Sequence, residues 1–108
     1  MPQQFADPRI IAAQENAERE RQLAQERARQ ERERVAAARR AWAERRDQLV
    51  EALAQARQVA SSAEGELTAA RASADSAPAL QAATRLLASR ELVSLAEADL
   101  REHQRAQP

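Results

Sequence analysis

The sequence predicts an all-α protein in which a long N-terminal helix and a shorter C-terminal helix form an antiparallel helical hairpin or coiled coil, completed by oligomerisation or a partner protein. Three observations predict it. From Glu15 to Arg46 the chain is almost wholly Ala, Gln, Glu and Arg, without glycine or proline, residue types that suit a helix and cannot fill a globular core. Apolar residues recur at steps of three and four, the period of one helix face. The one strong interruption is Ser73-Ala74-Asp75-Ser76-Ala77-Pro78, small turn-forming residues before a proline that disfavours the α region for Ala77.

Residues 1–7 read as a short non-helical lead with one apolar side chain, Phe5. Asp7 then offers a carboxylate to the free amides of a first helical turn, and Pro8 loses nothing at the first helical position. The first helix is expected over residues 8–73: 8–44 as a charged rod of about 54 Å projecting beyond the hairpin, 45–73 as the hairpin arm. Gly65 is the only glycine; it costs about 1 kcal/mol inside a helix without ending one. Ser61-Ser62-Ala63-Glu64 resembles a capping box and marks a second candidate break. Residues 74–77 are the expected turn. Residues 78–106 are the expected second helix, with Arg101, His103 and Arg105 at the end where cations suit the helix dipole.

Val35, Trp42, Leu49, Ala56, Ala63 and Ala70 form one heptad row. Ala38, Arg45, Ala52, Val59 and Glu66 are taken as its partner row, widened by Leu53, Ala60 and Leu67. Ile10, Ala17 and Ala24 keep a register offset by four residues, a stutter. Reversal near Asp75 brings Val93 near Val59, Leu87 near Ala63, Ala83 near Leu67 and Leu100 near Leu49 and Val50, with Trp42 just past the end of the second helix. Leu86, Leu92 and Leu95 do not fit the stripe of Leu80, Leu87, Val93 and Leu100. They are left as a second apolar face for another helix.

Composition narrows function mainly by exclusion. With 108 residues, one Phe, one Trp and no Tyr, the chain is one domain at most and has little material for a layered core. Its 17 basic and 17 acidic residues balance, so charge does not force disorder and nucleic acid is not the expected partner. Without cysteine there are no disulfides, thiolate metal sites or thiol nucleophiles. His103 has no second imidazole for a metal site and reads as a surface residue. The serines lack a recognisable base, and one glycine cannot build a phosphate-cradling loop. No catalytic residue, metal site, cofactor or small-molecule substrate is expected. Nor is a signal peptide or a membrane span expected, and the expected location is the cytoplasm or a virion. Every basic residue is Arg, a hint of the codon usage of a high-GC bacterium or its phage.

Glu and Arg in equal number between Glu15 and Arg34 give helix-stabilising pairs of about 0.2–0.5 kcal/mol each. Arg39, Arg40, Arg45 and Arg46 surround Trp42 in the one local excess of positive charge. They serve phosphate contact and base stacking in one reading and a protein-interface anchor in the other. Together with Leu86, Leu92 and Leu95 they are the candidate partner-binding residues. The expected function is therefore a non-enzymatic structural or assembly protein that binds other subunits of a multiprotein bacterial or phage particle, most simply as a homo-oligomer. One alternative is an export-stalk or adaptor-like hairpin of a secretion apparatus that binds chaperones or an ATPase, an analogy of shape alone. Another is a nucleic-acid-associated scaffold or packaging factor.

Overall fold

The computed structural model describes residues 7–108; the expected lead over 1–6 lies outside the described residues. Two helices follow in order, α1 (Pro8–Arg71) and α2 (Ser76–Arg105), and there is no strand among the described residues. Asp7 caps α1: its Oδ1 accepts from the Arg9 amide at 2.9 Å, and its carbonyl accepts from the amides of Ile10 and Ile11. The helix runs unbroken through Ser61–Gly65, because serine in a helix interior costs little and no residue there leaves the helical region. A Cβ at Gly65 would meet nothing.

The reversal lies slightly earlier than expected. α1 ends at Arg71 rather than residue 73, closed by amides of Ala72 and Ser73 that donate to Ala69 and Ala70. Asp75 is in extended conformation and its Oδ1 accepts from Ala77 at 3.1 Å, while Ser73 Oγ accepts from the Asp75 amide at 3.2 Å. That cap starts α2 at Ser76, two residues before Pro78. The proline still sits in the first turn, where its missing N–H has no helical partner to lose.

The chain divides into a unit ending at Ala38 and a unit beginning at Arg39. Among the described residues of the first, side chains are exposed except for the half-buried Glu26, Val35 and Ala36. Its ordering groups are ion pairs along one helix: Glu15–Arg19 at 3.9 Å, Glu18–Arg21 at 2.7 Å, Glu26–Arg29, Glu31–Arg34 at 2.5 Å and Arg29–Glu33 at 2.8 Å. The Arg29 hydrogen bond draws the Glu26 carboxyl below its ordinary value, and Arg34 does the same to Glu31. Both pairs lie on the solvent-facing surface, so each adds little.

The second unit is the hairpin. Inward-facing residues of α1 are Trp42, Arg46, Leu49, Leu53, Ala56, Ala60, Ala63, Leu67 and Ala70; those of α2 are Ala79, Ala82, Leu86, Ser89, Val93, Ala96, Leu100 and His103. Both rows alternate steps of three and four without a fault, the spacing of a coiled-coil seam. Ala63, Leu67, Ala82 and Leu86 form the core cluster, packed round by Ala70 and Ala83. Each helix thus gives one leucine and one alanine, so that large side chains meet small ones. Burying a leucine contributes about 1.5–3 kcal/mol. Register is marked on the rim by Glu66–Arg85 at 3.4 Å, Glu64–Arg90 at 3.3 Å and Arg57–Glu97 at 3.7 Å.

Three expectations are corrected. The α1 row that joins Leu49, Ala56 and Ala63 inside is Leu53, Ala60 and Leu67, not Ala52, Val59 and Glu66, because bulkier leucines occupy the seam. On α2 Leu86 is buried at 5 % exposure while Leu87 and Leu80 stand out at 67 % and 72 %, so Leu86 takes the place assigned to Leu87. Val59 likewise faces outward. Leu86→Ala is therefore expected to cost about 2 kcal/mol or more, and Leu87→Ala within about 0.5 kcal/mol of nothing. Urea unfolding followed by circular dichroism checks this, and equal costs would contradict the seam.

Candidate protein-interaction surfaces

Trp42 does not lie past the end of α2. Its Nε1–H donates to the His103 carbonyl at 2.9 Å, and His103 Nε2 lies 2.8 Å from the Trp42 carbonyl. A carbonyl only accepts, so Nε2 carries the proton. The two rings stack at 5.0 Å with 10° between their planes, and the Arg46 guanidinium lies 5.4 Å from the indole centroid. The indole N–H thereby adds a second bond to a carbonyl in the last turn of α2 that already accepts from the Ala106 amide at 3.1 Å. His103, expected as a surface residue, is half-buried in this clasp. Its position in the α2 seam, seven residues beyond Ala96, was the available signal; its polarity hid it.

The four arginines around Trp42 do not act as one patch. Successive helical residues turn by about 100°, which spreads Arg39, Arg40, Arg45 and Arg46 around α1. Arg46 faces the seam and also pairs with Asp47 at 3.0 Å. Arg45 donates to Gln48 Oε1 at 3.3 Å. Arg39 and Arg40 are exposed.

The flanks of the seam differ. Residues that follow an inward residue by one lie on one flank: Arg57, Glu64, Arg90 and Glu97, joined across the seam as two ion pairs. Residues that precede an inward one lie on the other flank: Arg45, Ala52, Val59 and Glu66 on α1, and Arg85, Leu92, Leu95 and Asp99 on α2. Val59, Glu66 and Arg85 line one groove of that flank, and Arg45 and Asp99 another. Val59, Leu92 and Leu95 stand exposed at 55–57 %. Leu92 and Leu95 therefore stay available to a partner, and Leu86 does not. Leu80 and Leu87, which sequence reasoning placed inside, lie on the outer face of α2.

Among the described residues no group of three His, Cys, Asp or Glu side chains could hold a metal ion, and no helix is long and apolar enough to cross a membrane. No family model, curated protein or solved structure matches the chain.

Because Trp42 is the only tryptophan, its fluorescence reports the clasp alone. His103→Ala is expected to move emission to the red and to cost about 1 kcal/mol, the worth of a stacked pair and a hydrogen bond. Unchanged emission would mean that the rings do not meet.

Proposed function

We propose that this chain is a non-enzymatic coiled-coil assembly protein that binds other subunits of a multiprotein bacterial or phage particle through apolar side chains its own fold leaves uncovered. The observation that carries the reading is an imbalance within the hairpin. Leu49, Leu53, Leu67 and Leu86 are its buried large apolar residues, whereas Val50, Val59, Leu80, Leu87, Leu92 and Leu95 are exposed. A folded hairpin that leaves six large apolar side chains exposed has surface to spend on association.

Two further features support binding over chemistry. Two grooves along the hairpin are lined by ion-paired arginines and glutamates, Glu64–Arg90 in one and Glu66–Arg85 in the other. The indole of Trp42 is engaged by His103 and Arg46, which leaves it poorly placed for stacking a base.

A photoreactive amino acid at Leu92 or Leu95, introduced in the cells that make the protein, is expected to yield a discrete protein adduct. The same probe at Arg19, on the charged unit, serves as the comparison. No adduct from any of Leu80, Leu87, Leu92 or Leu95 would contradict the assembly reading.

A further inference from the structure

We infer that the flank carrying Val59 and Leu92 is a self-complementary surface that takes a second copy of this hairpin, giving a two-fold four-helix bundle; the inference rests on the assembly reading and names its first partner. The argument starts from the contrast between the flanks. One is closed by Arg57–Glu97 and Glu64–Arg90 across the seam. The other carries a single ion pair, Glu66–Arg85, followed two turns along by Val59 on α1 and Leu92 on α2, both more than half exposed. Ala52, Ala88 and Leu95 extend the apolar strip, and Arg45 and Asp99 bound its far end.

Self-complementarity follows from the hairpin's own register. α1 and α2 run antiparallel, with Glu66 opposite Arg85 at 3.4 Å. Each next member of the two rows lies seven residues further on, so Val59 falls level with Leu92 and Ala52 level with Asp99. A two-fold axis along the hairpin lays α1 of one copy over α2 of the other at the same levels. Glu66 of each copy then meets Arg85 of the other, and Val59 meets Leu92. Opposite charges meet opposite charges at one end and apolar meets apolar in the middle, which makes the interface isologous. Like charges are not brought together along these rows. On the opposite flank the charges are already paired across the seam, and seven residues on from Arg57 and Glu97 the exposed Val50 falls level with the polar Gln104, while Leu80 and Leu87 stand further out on α2.

Four helices packed around Val59, Leu92 and Leu95 also supply the depth of core that one alanine-rich helix pair lacks. The occupant is thus the chain itself, without an additional sequence.

Analytical ultracentrifugation of the full chain is expected to give a dimer whose dissociation constant rises at least about tenfold with Val59→Glu or Leu92→Glu. Both side chains are exposed in the hairpin, so circular dichroism should show the variants still helical. Val50→Glu should leave the dimer intact. Glu66→Arg should weaken it, and adding Arg85→Glu should restore it. Because cysteine is absent, mixing Val59→Cys chains with Leu92→Cys chains gives a specific cross-link test. Disulfide-linked heterodimers are expected, in preference to Val59→Cys homodimers. A monomer at sub-millimolar concentration, or preferential homodimer cross-linking at Val59, would overturn the inference. A monomer that still gives an adduct of different mass from Leu92 in cells sinks the second copy and spares the assembly reading; a monomer with no adduct sinks both.

Discussion

The hairpin depends on one constraint: two helices can only lie together where every inward position, at alternating steps of three and four, is small enough or apolar enough to be covered. This chain meets it largely with alanine. Ala56, Ala60, Ala63 and Ala70 on α1 and Ala79, Ala82 and Ala96 on α2 face inward. Alanine adds little burial energy, but it costs no side-chain entropy and lets backbones approach closely. The few leucines can then be nearly covered by a single facing helix: Leu67 and Leu86 keep 8 % and 5 % of their surface.

The ends of the seam are fixed by polar devices. At the turn, Asp75 and Ser73 satisfy the amides that a change of chain direction leaves free. At the far end the reciprocal bonds between Trp42 and His103 tie the last turn of α2 to α1. Between them, exposed ion pairs contribute little energy each but oppose slippage, because a shift by one heptad would bring Glu64 to Glu97 or Arg57 to Arg90. Energy therefore sits in the leucines and register in the polar groups. The outer leucines belong to neither task, which is why function is sought on them.

Much of this was legible in the sequence. The break at Ser73–Pro78, the start at Asp7-Pro8, the row Trp42, Leu49, Ala56, Ala63, Ala70 and the antiparallel order all follow from residue type and spacing. The second α1 row did not, since rows at plus three and plus four are neighbours on a helix. Choosing between Ala52-Val59-Glu66 and Leu53-Ala60-Leu67 needed the weight of two leucines set against one glutamate. The α2 seam was harder to see because Ser89 and His103 are polar and Ala79, Ala82 and Ala96 are small, whereas the conspicuous Leu80 and Leu87 lie outside. Ser89 is tolerated there because its hydroxyl donates to the Leu86 carbonyl at 2.9 Å, leaving no buried polar atom unsatisfied among the described residues. The partner-binding set was correspondingly mixed: Leu92 and Leu95 are exposed, Leu86 is core, and Trp42 and Arg46 are occupied within the chain.

Amide hydrogen exchange resolved along α1 tests the hairpin most directly, since the whole account rests on α2 covering one stretch of α1 and not the rest. Protection should be low from Ile10 to Ala38 and should rise along the stretch whose inward residues run from Arg46 to Ala70, with maxima near Leu53, Ala63 and Leu67. Protection that is uniform along Pro8–Arg71, or strongest before Ala38, would mean that the shorter helix does not pack where the seam requires.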